Sequence, residues 1–294
     1  MTFKKIAVPV DFSGFSDKAV EYAMFIAGKF CADITLVHAI LLHQEDVDEE
    51  EHFQAYEKII REKEAVRNKR LESKCKVGKE RGLQVNSALI RGFSAADSIL
   101  DYLQDNDFDL IIMGTHGRTG LKKLMLGSVA ERVVQLSPVP VLTVHKDTDE
   151  TDIKKILVPV DFSEYSKIAV KQAIALSREF KASLQFLHVV QLEDHPEFYT
   201  VSFDPILEEN PDLEMHIAKN LIKLTGISEK EATYVVKEGK VHKEIKTYAE
   251  ENHVDLIVMA THGMSDLEHF LVGSNSERVV RIAPCPVLTV RKSG

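Results

Sequence analysis

The sequence contains no tryptophan, and aromatic residues make up only 7% of its 294 positions. Proteins that bind single-stranded nucleic acid stack bases on aromatic side chains, so this scarcity argues against that class. Basic residues are outnumbered as well, 37 against 46 acidic ones, and the formal net charge is −9. A chain without an overall basic footprint is a poor match for nucleic acid or an anionic membrane surface. We therefore predict neither as a partner.

Cysteine is equally scarce. Cys31, Cys75 and Cys285 are too few and too scattered for a disulfide framework or a zinc site, and they fit a reducing compartment. The first residues run directly into Phe3–Val8 without an apolar signal segment, and no apolar run approaches the roughly 20 residues of a membrane helix. We expect a cytoplasmic protein.

The dominant feature of the sequence is an internal repeat. Residues 3–40 match 153–190 at an offset of 150, and Asp109–Gly117 matches Asp255–Gly263 at an offset of 146. Pro138–Val144 returns as Pro284–Val290 at the same second offset. Three matches in order indicate duplication of one domain, and we place the two copies at residues 1–148 and 149–294.

Each copy alternates short apolar, β-branched runs with helical patterns. Ile6–Val10 is typical of a buried strand, and the following segment repeats apolar residues at helical spacing. Residues 47–82 predict a long surface helix, whereas residues 191–229, with Pro196, Pro205 and Pro211, favour an irregular flap. Alternating strands and helices predict a parallel, doubly wound α/β sheet, whose ligands lie beyond the carboxyl ends of the strands.

The loop after the fourth strand, residues 114–128, carries the frame Gly-x2-Gly-x9-Gly-Ser and three basic residues without an acid. Glycines allow close backbone approach or positive φ, and the N–H groups of Gly127, Ser128 and Val129 would open a helix where phosphate is favoured. The frame is neither a Walker loop nor a dinucleotide fingerprint. A flexible, glycine-rich turn that feeds a helix is the alternative.

This loop, the Val-Pro-Val-Asp strand at Val8–Asp11, Leu-Val-His at 36–38 and Pro-Val-Leu-Thr-Val at 140–144 together resemble the universal stress protein family, over both halves. The resemblance implies two tandem Rossmann-like, adenine nucleotide alpha hydrolase-like domains, each with a five-stranded sheet. It also implies an ATP or AMP site, with Asp11 near the ribose. Asp11 is itself a candidate to hold Mg²⁺ through water, but no second acid stands at a metal-ligating spacing, and we predict no metal site in the protein itself. The residues that would form this site are Pro9, Val10, Asp11, Val37, His38, Ala39, Gly114, His116, Gly117, Arg118, Gly127, Ser128 and Val129.

Other interpretations of two of these residues stay open. Asp11 is also a candidate cap for the helix that follows it. The His38 side chain is expected to be hydrogen-bonded at the end of the sheet and not to bind the ligand itself.

The second copy has a degenerate loop. At the matching positions Ala260 replaces Gly114, and Met264, Glu268 and His269 replace Arg118, Lys122 and Lys123. Asp266 adds a second acid, so that the formal charge of the loop falls from +3 to −2. We expect the nucleotide mainly in the first domain. A second site would comprise Pro159, Val160, Asp161, His262, Gly263, Gly273 and Ser274.

None of the common catalytic motifs occurs in the chain. We predict binding and signalling in a stress response rather than catalysis, with slow ATP hydrolysis left open. The rival is a nucleotide-independent interaction scaffold with an unknown protein partner. The resemblance also implies a homodimer.

Overall fold

The computed structural model describes residues 3–42, 50–117, 126–145, 152–191, 206–261 and 274–291. The chain divides into two compact units, Thr2–Asp147 and Thr148–Gly294. Among the described helices, none is long and apolar enough to cross a membrane.

The first unit is a parallel sheet flanked by helices. Strand β1 pairs with β2 on one side and with β4 on the other, β2 pairs with β3, and β4 pairs with β5. The strand order is therefore β3-β2-β1-β4-β5. Its elements are β1 (Lys5–Pro9), α1 (Gly14–Phe30), β2 (Asp33–Leu41), α2 (Glu50–Glu80), β3 (Val85–Gly92), α3 (Ala95–Gln104), β4 (Leu110–Gly114), α4 (Ser128–Leu136) and β5 (Val141–Val144).

The second unit repeats this arrangement with the order β8-β7-β6-β9-β10, again all parallel. The predicted doubly wound α/β fold, with five parallel strands in each unit, is confirmed. Its elements are β6 (Lys155–Pro159), α5 (Glu164–Phe180), β7 (Ser183–Gln191), α6 (Ile206–Glu209), α7 (Pro211–Thr225), β8 (Ala232–Gly239), α8 (Val241–Glu251), β9 (Leu256–Ala260), α9 (Ser274–Ile282) and β10 (Val287–Val290).

The inner strands are covered on both faces, which explains their uninterrupted apolar sequence. In the first unit Ile6, Val8 and Ile111 are completely buried, and in the second unit Ile156 and Val158 are as well. Burying a side chain of this size stabilises a fold by about 1.5–3 kcal/mol. The core of each unit is therefore built from the segments that the two copies share most closely.

The irregular flap expected for residues 191–229 is wrong where the structure describes it. Pro211 stands in the first turn of α7, where a proline is tolerated because its missing N–H would have no partner in any case. The helix ends at Gly226, which takes a left-handed conformation with φ 69°. Pro196 and Pro205 lie outside the described residues.

The strand order creates a crevice at the carboxyl edge of each sheet. The chain leaves β1 toward β2 and β3, but β4 lies on the opposite side of β1, so that the connections diverge between β1 and β4. A switch point of this kind is where open α/β sheets bind ligands. Strands β6 and β9 create the same position in the second unit.

Candidate functional site

A tight turn carries the chain from β1 into α1. Phe12 adopts φ 64°, an uncommon conformation for a bulky residue, and the Asp11 carboxylate accepts a hydrogen bond from Ser13 N–H at 2.9 Å. Helix α1 is capped by Ser13, whose hydroxyl oxygen accepts from Ser16 N–H at 3.3 Å. Asp11 is therefore not the helix cap, and its turn brings it to the carboxyl edge of the sheet beside Pro9 and Val10.

The end of β2 supplies the next wall. Val10 N–H donates to the Val37 carbonyl at 2.8 Å, which extends the pairing of the two strands beyond β1. His38 is 6% exposed, and its Nδ1 lies 2.5 Å from the Val10 carbonyl oxygen. We assign Nδ1 as the donor because a carbonyl oxygen can only accept. The histidine side chain is thus hydrogen-bonded at the sheet end.

The third wall is the connection from β4 to α4. Thr115 N–H donates to the Val144 carbonyl at 3.1 Å, and Gly127 N–H donates to the Thr115 carbonyl at 2.8 Å. The second of these bonds corrects one expectation, since the Gly127 N–H is already used inside the protein. Helix α4 begins without a side-chain cap, and its first backbone donor is Glu131 N–H, so the N–H groups of Ser128, Val129 and Ala130 have no partner within the helix.

Glycine is needed at these positions because other atoms of the protein approach the backbone closely, and not because the backbone adopts positive φ. A Cβ at Gly127 would lie 3.3 Å from the Thr115 carbonyl oxygen, and one at Gly117 would lie 2.8 Å from Asp11 Oδ2. At Gly114 a Cβ would lie 2.8 Å from the Cβ of Phe15. Gly127 itself has φ −66°, which any residue adopts. The three positions are small because the walls of the crevice are close together.

These walls enclose a cavity of about 310 Å³, within the size range of small-molecule sites. It brings together all of the predicted first-site residues except Arg118, which lies outside the described residues. Several further wall residues come from β2, α1, α3, β4 and α4. The additional residues are Leu41, Ser16, Ala95, Ile99, Met113 and Ala130.

The lining of the cavity is chemically mixed. Val37, Ile99 and Met113 contribute large apolar side chains, and Ala39 and Ala95 contribute small ones. Polar groups come from the Asp11 carboxylate, the Ser128 hydroxyl and the start of α4. His116 faces this cavity, and its buried Nε2 has no hydrogen-bond partner among the described residues. Buried side-chain nitrogens in folded proteins usually have a hydrogen-bond partner.

Sequence reasoning missed α3 as part of the site. Ala95 and Ile99 lie one turn apart on that helix, and no local motif marks them. The sequence does place a small apolar residue and then a large one at the start of the helix that follows β3. This pattern indicates a wall of the site only once α3 is known to pack over the carboxyl edge of the sheet.

The second unit has the same turn with different walls. Asp161 accepts from Ser163 N–H at 3.0 Å beside Pro159 and Val160, and Phe162 has φ 63°. His188 Nδ1 lies 2.7 Å from the Val160 carbonyl oxygen. His262, Gly263 and Gly273 lie outside the described residues, and Ser274 begins α9.

The two units differ at one of the walls. One residue, Phe93, separates β3 from Ser94, the N-cap of α3, whereas Lys240, the N-cap of α8, follows β8 directly, so the two helices align at an offset of 146. Val241 and Ile245 therefore stand where Ala95 and Ile99 stand in the first unit, and these two positions stay apolar. Val129, at the start of α4, is replaced by the polar Asn275 in α9.

A doubly wound parallel sheet defines a Rossmann-like α/β domain, here present twice, and in the first unit glycines line the crevice at its switch point. The model of the universal stress protein family matches residues 2–145 and again residues 152–291, and the chain belongs to that family.

Relatives match one copy or both. A universal stress protein of Mycolicibacterium smegmatis is 26% identical over 97% of this chain and 96% of its own length. Universal stress protein MJ0531 of Methanocaldococcus jannaschii is 31% identical over 50% of this chain and 85% of its own.

Solved structures share the tandem fold. The crystal structure of a universal stress protein from Archaeoglobus fulgidus aligns with a TM-score of 0.69 at 24% identity and covers 99% of this chain and 98% of that one.

Proposed function

We propose that the first unit binds an adenine nucleotide, ATP or AMP, in the cavity between β1 and β4, and that the protein acts in a stress response as a nucleotide-dependent binding protein. The single observation that carries this proposal is the mixed lining of the cavity, which combines apolar side chains with a carboxylate, a hydroxyl and the start of a helix. A nucleotide presents the matching groups, a flat base, ribose hydroxyls and a charged phosphate chain.

The base would lie against Val37, Ala39 and Ile99, and the ribose hydroxyl groups would approach the Asp11 carboxylate. Phosphate groups would lie at the start of α4, where the free N–H groups of Ser128 and Val129 and the helix dipole favour an anion. His116 Nε2 would gain the polar partner that the described residues do not give it. Among the described residues that line the cavity, Asp11 is the single carboxylate. A bound Mg²⁺ would therefore share this group with phosphate oxygens, an arrangement common for Mg²⁺.

One wall exchange and the sequence of the loop favour the first unit over the second. A nucleotide against Asn275 would have to desolvate an amide where the first unit has Val129, which costs about 1–3 kcal/mol when the amide gains no partner. In the second loop Glu268 replaces Lys122 and Asp266 replaces Gly120, so that two acids stand in a segment that has none in the first unit.

The first test is native mass spectrometry of the purified full-length protein, with extraction and identification of any bound small molecule. We expect about one adenine nucleotide per chain. An empty chain that also gives no calorimetric signal with ATP or AMP would contradict the proposal and leave the interaction scaffold as the better description.

The second test transfers one wall residue between the units. Val129→Asn introduces the residue that the second unit carries at this position, so the fold accommodates it there. We expect nucleotide affinity to fall about tenfold, which corresponds to about 1.4 kcal/mol, measured by isothermal titration calorimetry. The matched control is Asn275→Val in the second unit, which should leave the affinity of the first site unchanged. Equal affinities for wild type and Val129→Asn would show that the nucleotide binds elsewhere.

A further inference from the structure

The second unit has a cavity of its own, with a volume of about 460 Å³, at the carboxyl edge of its sheet. Gln191, the last residue of β7, forms one wall, the start of α8 forms another, and Asn275 in the first turn of α9 contributes a third. Four basic side chains line this cavity: Lys240, His242, Lys243 and Arg278. We call it the α8–α9 cavity.

The basic groups are close enough to act on one another. Burial lowers the pKa of His242, and the charges of Arg278, Lys243 and Lys240 lower it further, while a hydrogen bond that the ring donates to the Asn275 side chain raises it. Within the described part of the chain, neither Lys243 nor Arg278 forms an ion pair. Three full positive charges thus converge on this cavity, and two of them lack a carboxylate among the described residues.

The start of α8 adds to this field. The helix has 11 residues, and Lys240 at its N-cap makes no side-chain cap hydrogen bond. The N–H groups of Lys243 and Glu244 donate to the Lys240 carbonyl at 2.8 and 3.0 Å, which leaves those of Val241 and His242 at the open end. The Glu244 carboxylate lies against Gly239, at 2.9 Å from the position of a Cβ there. Open N–H groups and the helix dipole both favour an anion.

The first unit lacks these features at the matching positions. Its helix α3 is capped by Ser94, whose hydroxyl oxygen accepts from Asp97 N–H at 3.4 Å. Arg132, the counterpart of Arg278, forms an ion pair with Asp97 at 2.6 Å. The counterparts of Lys240, His242 and Lys243 are Ser94, Ala96 and Asp97. The basic groups therefore belong to the second copy alone, although Val241 and Asn275 stand where Ala95 and Val129 line the proposed nucleotide site of the first.

We propose that the α8–α9 cavity binds the phosphate group of a small phosphorylated molecule. A phosphate dianion has acceptor oxygens enough to engage the Arg278 guanidinium, the Lys243 ammonium and the open N–H groups of α8 together. The neighbouring amides of Gln191 and Asn275 supply polar contacts for the rest of a small ligand.

The test uses the full-length protein and follows the His242 ring by NMR, with the resonance assigned from its loss in His242→Asn. Inorganic phosphate and glycerol 2-phosphate are titrated at constant ionic strength, with chloride as the reference salt. We expect a saturable shift with a dissociation constant below about 1 mM, and a rise of the His242 pKa, because a dianion favours the charged imidazole. A lower dissociation constant for glycerol 2-phosphate than for inorganic phosphate would identify an organic phosphate as the ligand. Equal dissociation constants would identify free phosphate.

Arg278→Gln and Lys243→Gln should each weaken binding about tenfold or more, the loss expected for one charge-assisted hydrogen bond. Arg132→Gln, the same substitution in the first unit, should leave the His242 titration unchanged. The proposal is overturned if the His242 resonance shows no saturable shift, or if both second-unit variants bind phosphate as tightly as the wild type. Neither outcome bears on nucleotide binding by the first unit, which the Val129→Asn experiment addresses separately.

Discussion

Two glycine-to-alanine substitutions in the first unit should change stability in opposite directions. At Gly114, the last residue of β4, an added Cβ would lie 2.8 Å from the Cβ of Phe15 and 2.9 Å from its carbonyl carbon and oxygen. Carbon atoms in good contact are about 3.5–4.0 Å apart, so α1 and β4 would have to separate by about 0.7 Å or more. Overpacking of this kind costs about 1–3 kcal/mol.

Gly28 is the matched control, since it lies in α1, the helix that contains Phe15. A Cβ there would meet only Leu83 Cδ2, at 4.0 Å, which is an ordinary contact. Gly28→Ala should therefore stabilise the protein by about 0.5–1 kcal/mol through its higher helix propensity. The predicted free energies of unfolding of the two variants differ by about 1.5–4 kcal/mol, the sum of these two effects.

The measurement is urea unfolding of the full-length chain followed by circular dichroism. Because two units need not unfold together, the curves are fitted to separate transitions, and hydrogen exchange of the α1 and β4 peptides identifies the first unit. A Gly114→Ala variant as stable as the wild type would refute the argument, because it would show that α1 moves away from β4 without cost. The reverse substitution, Ala260→Gly, tests the second unit, where removal of a buried methyl group should destabilise by about 1 kcal/mol.

Two further predictions concern the thiols and a helix cap. Burial, followed by the charge of Asp255, raises the pKa of Cys285 to about 12, so at pH 8 only about one molecule in ten thousand carries this thiolate. A disulfide reagent should therefore label the exposed Cys31 rapidly and Cys285 only on unfolding. Fast labelling of Cys285 in the native protein would contradict this. Ser94→Ala removes the cap of α3 and should lower the free energy of unfolding of the first unit by about 1 kcal/mol, as measured by urea unfolding. Ser94→Gly should cost only a few tenths of that amount. An equal loss of stability in both variants would argue against capping.

The fold could be predicted from the sequence because its determinants are local and repeated. Buried strands such as Ile6–Val10 are apolar without interruption, and the alternation with helices requires parallel strands. The site was accessible to the same reasoning only in part. Glycines and a Val-Pro-Val-Asp strand marked β1, β4 and α4, but nothing in the sequence around Ala95 states that α3 packs across the end of the sheet.

The errors have physical causes as well. Pro211 was interpreted as a breaker, although a proline in the first turn starts a helix, and sequence alone does not distinguish the two uses. Gly127 was expected to offer its N–H to a ligand, but the Thr115 carbonyl accepts that hydrogen bond, a pairing between residues 12 positions apart. Positive φ was one role considered for the loop glycines, and the distances at Gly114 and Gly117 show that they provide close approach instead.

The comparison of the two copies shows which positions duplication leaves free to change. Core strand residues must stay apolar in both units, because each is buried from both faces and a polar group there would lose water without compensation. Residues at the carboxyl edge meet solvent or a ligand, so an exchange such as Val129 to Asn275 costs the fold little. The chemistry of each crevice can therefore diverge while the sheet beneath it is maintained, and an occupant found in one unit is no evidence for the same occupant in the other.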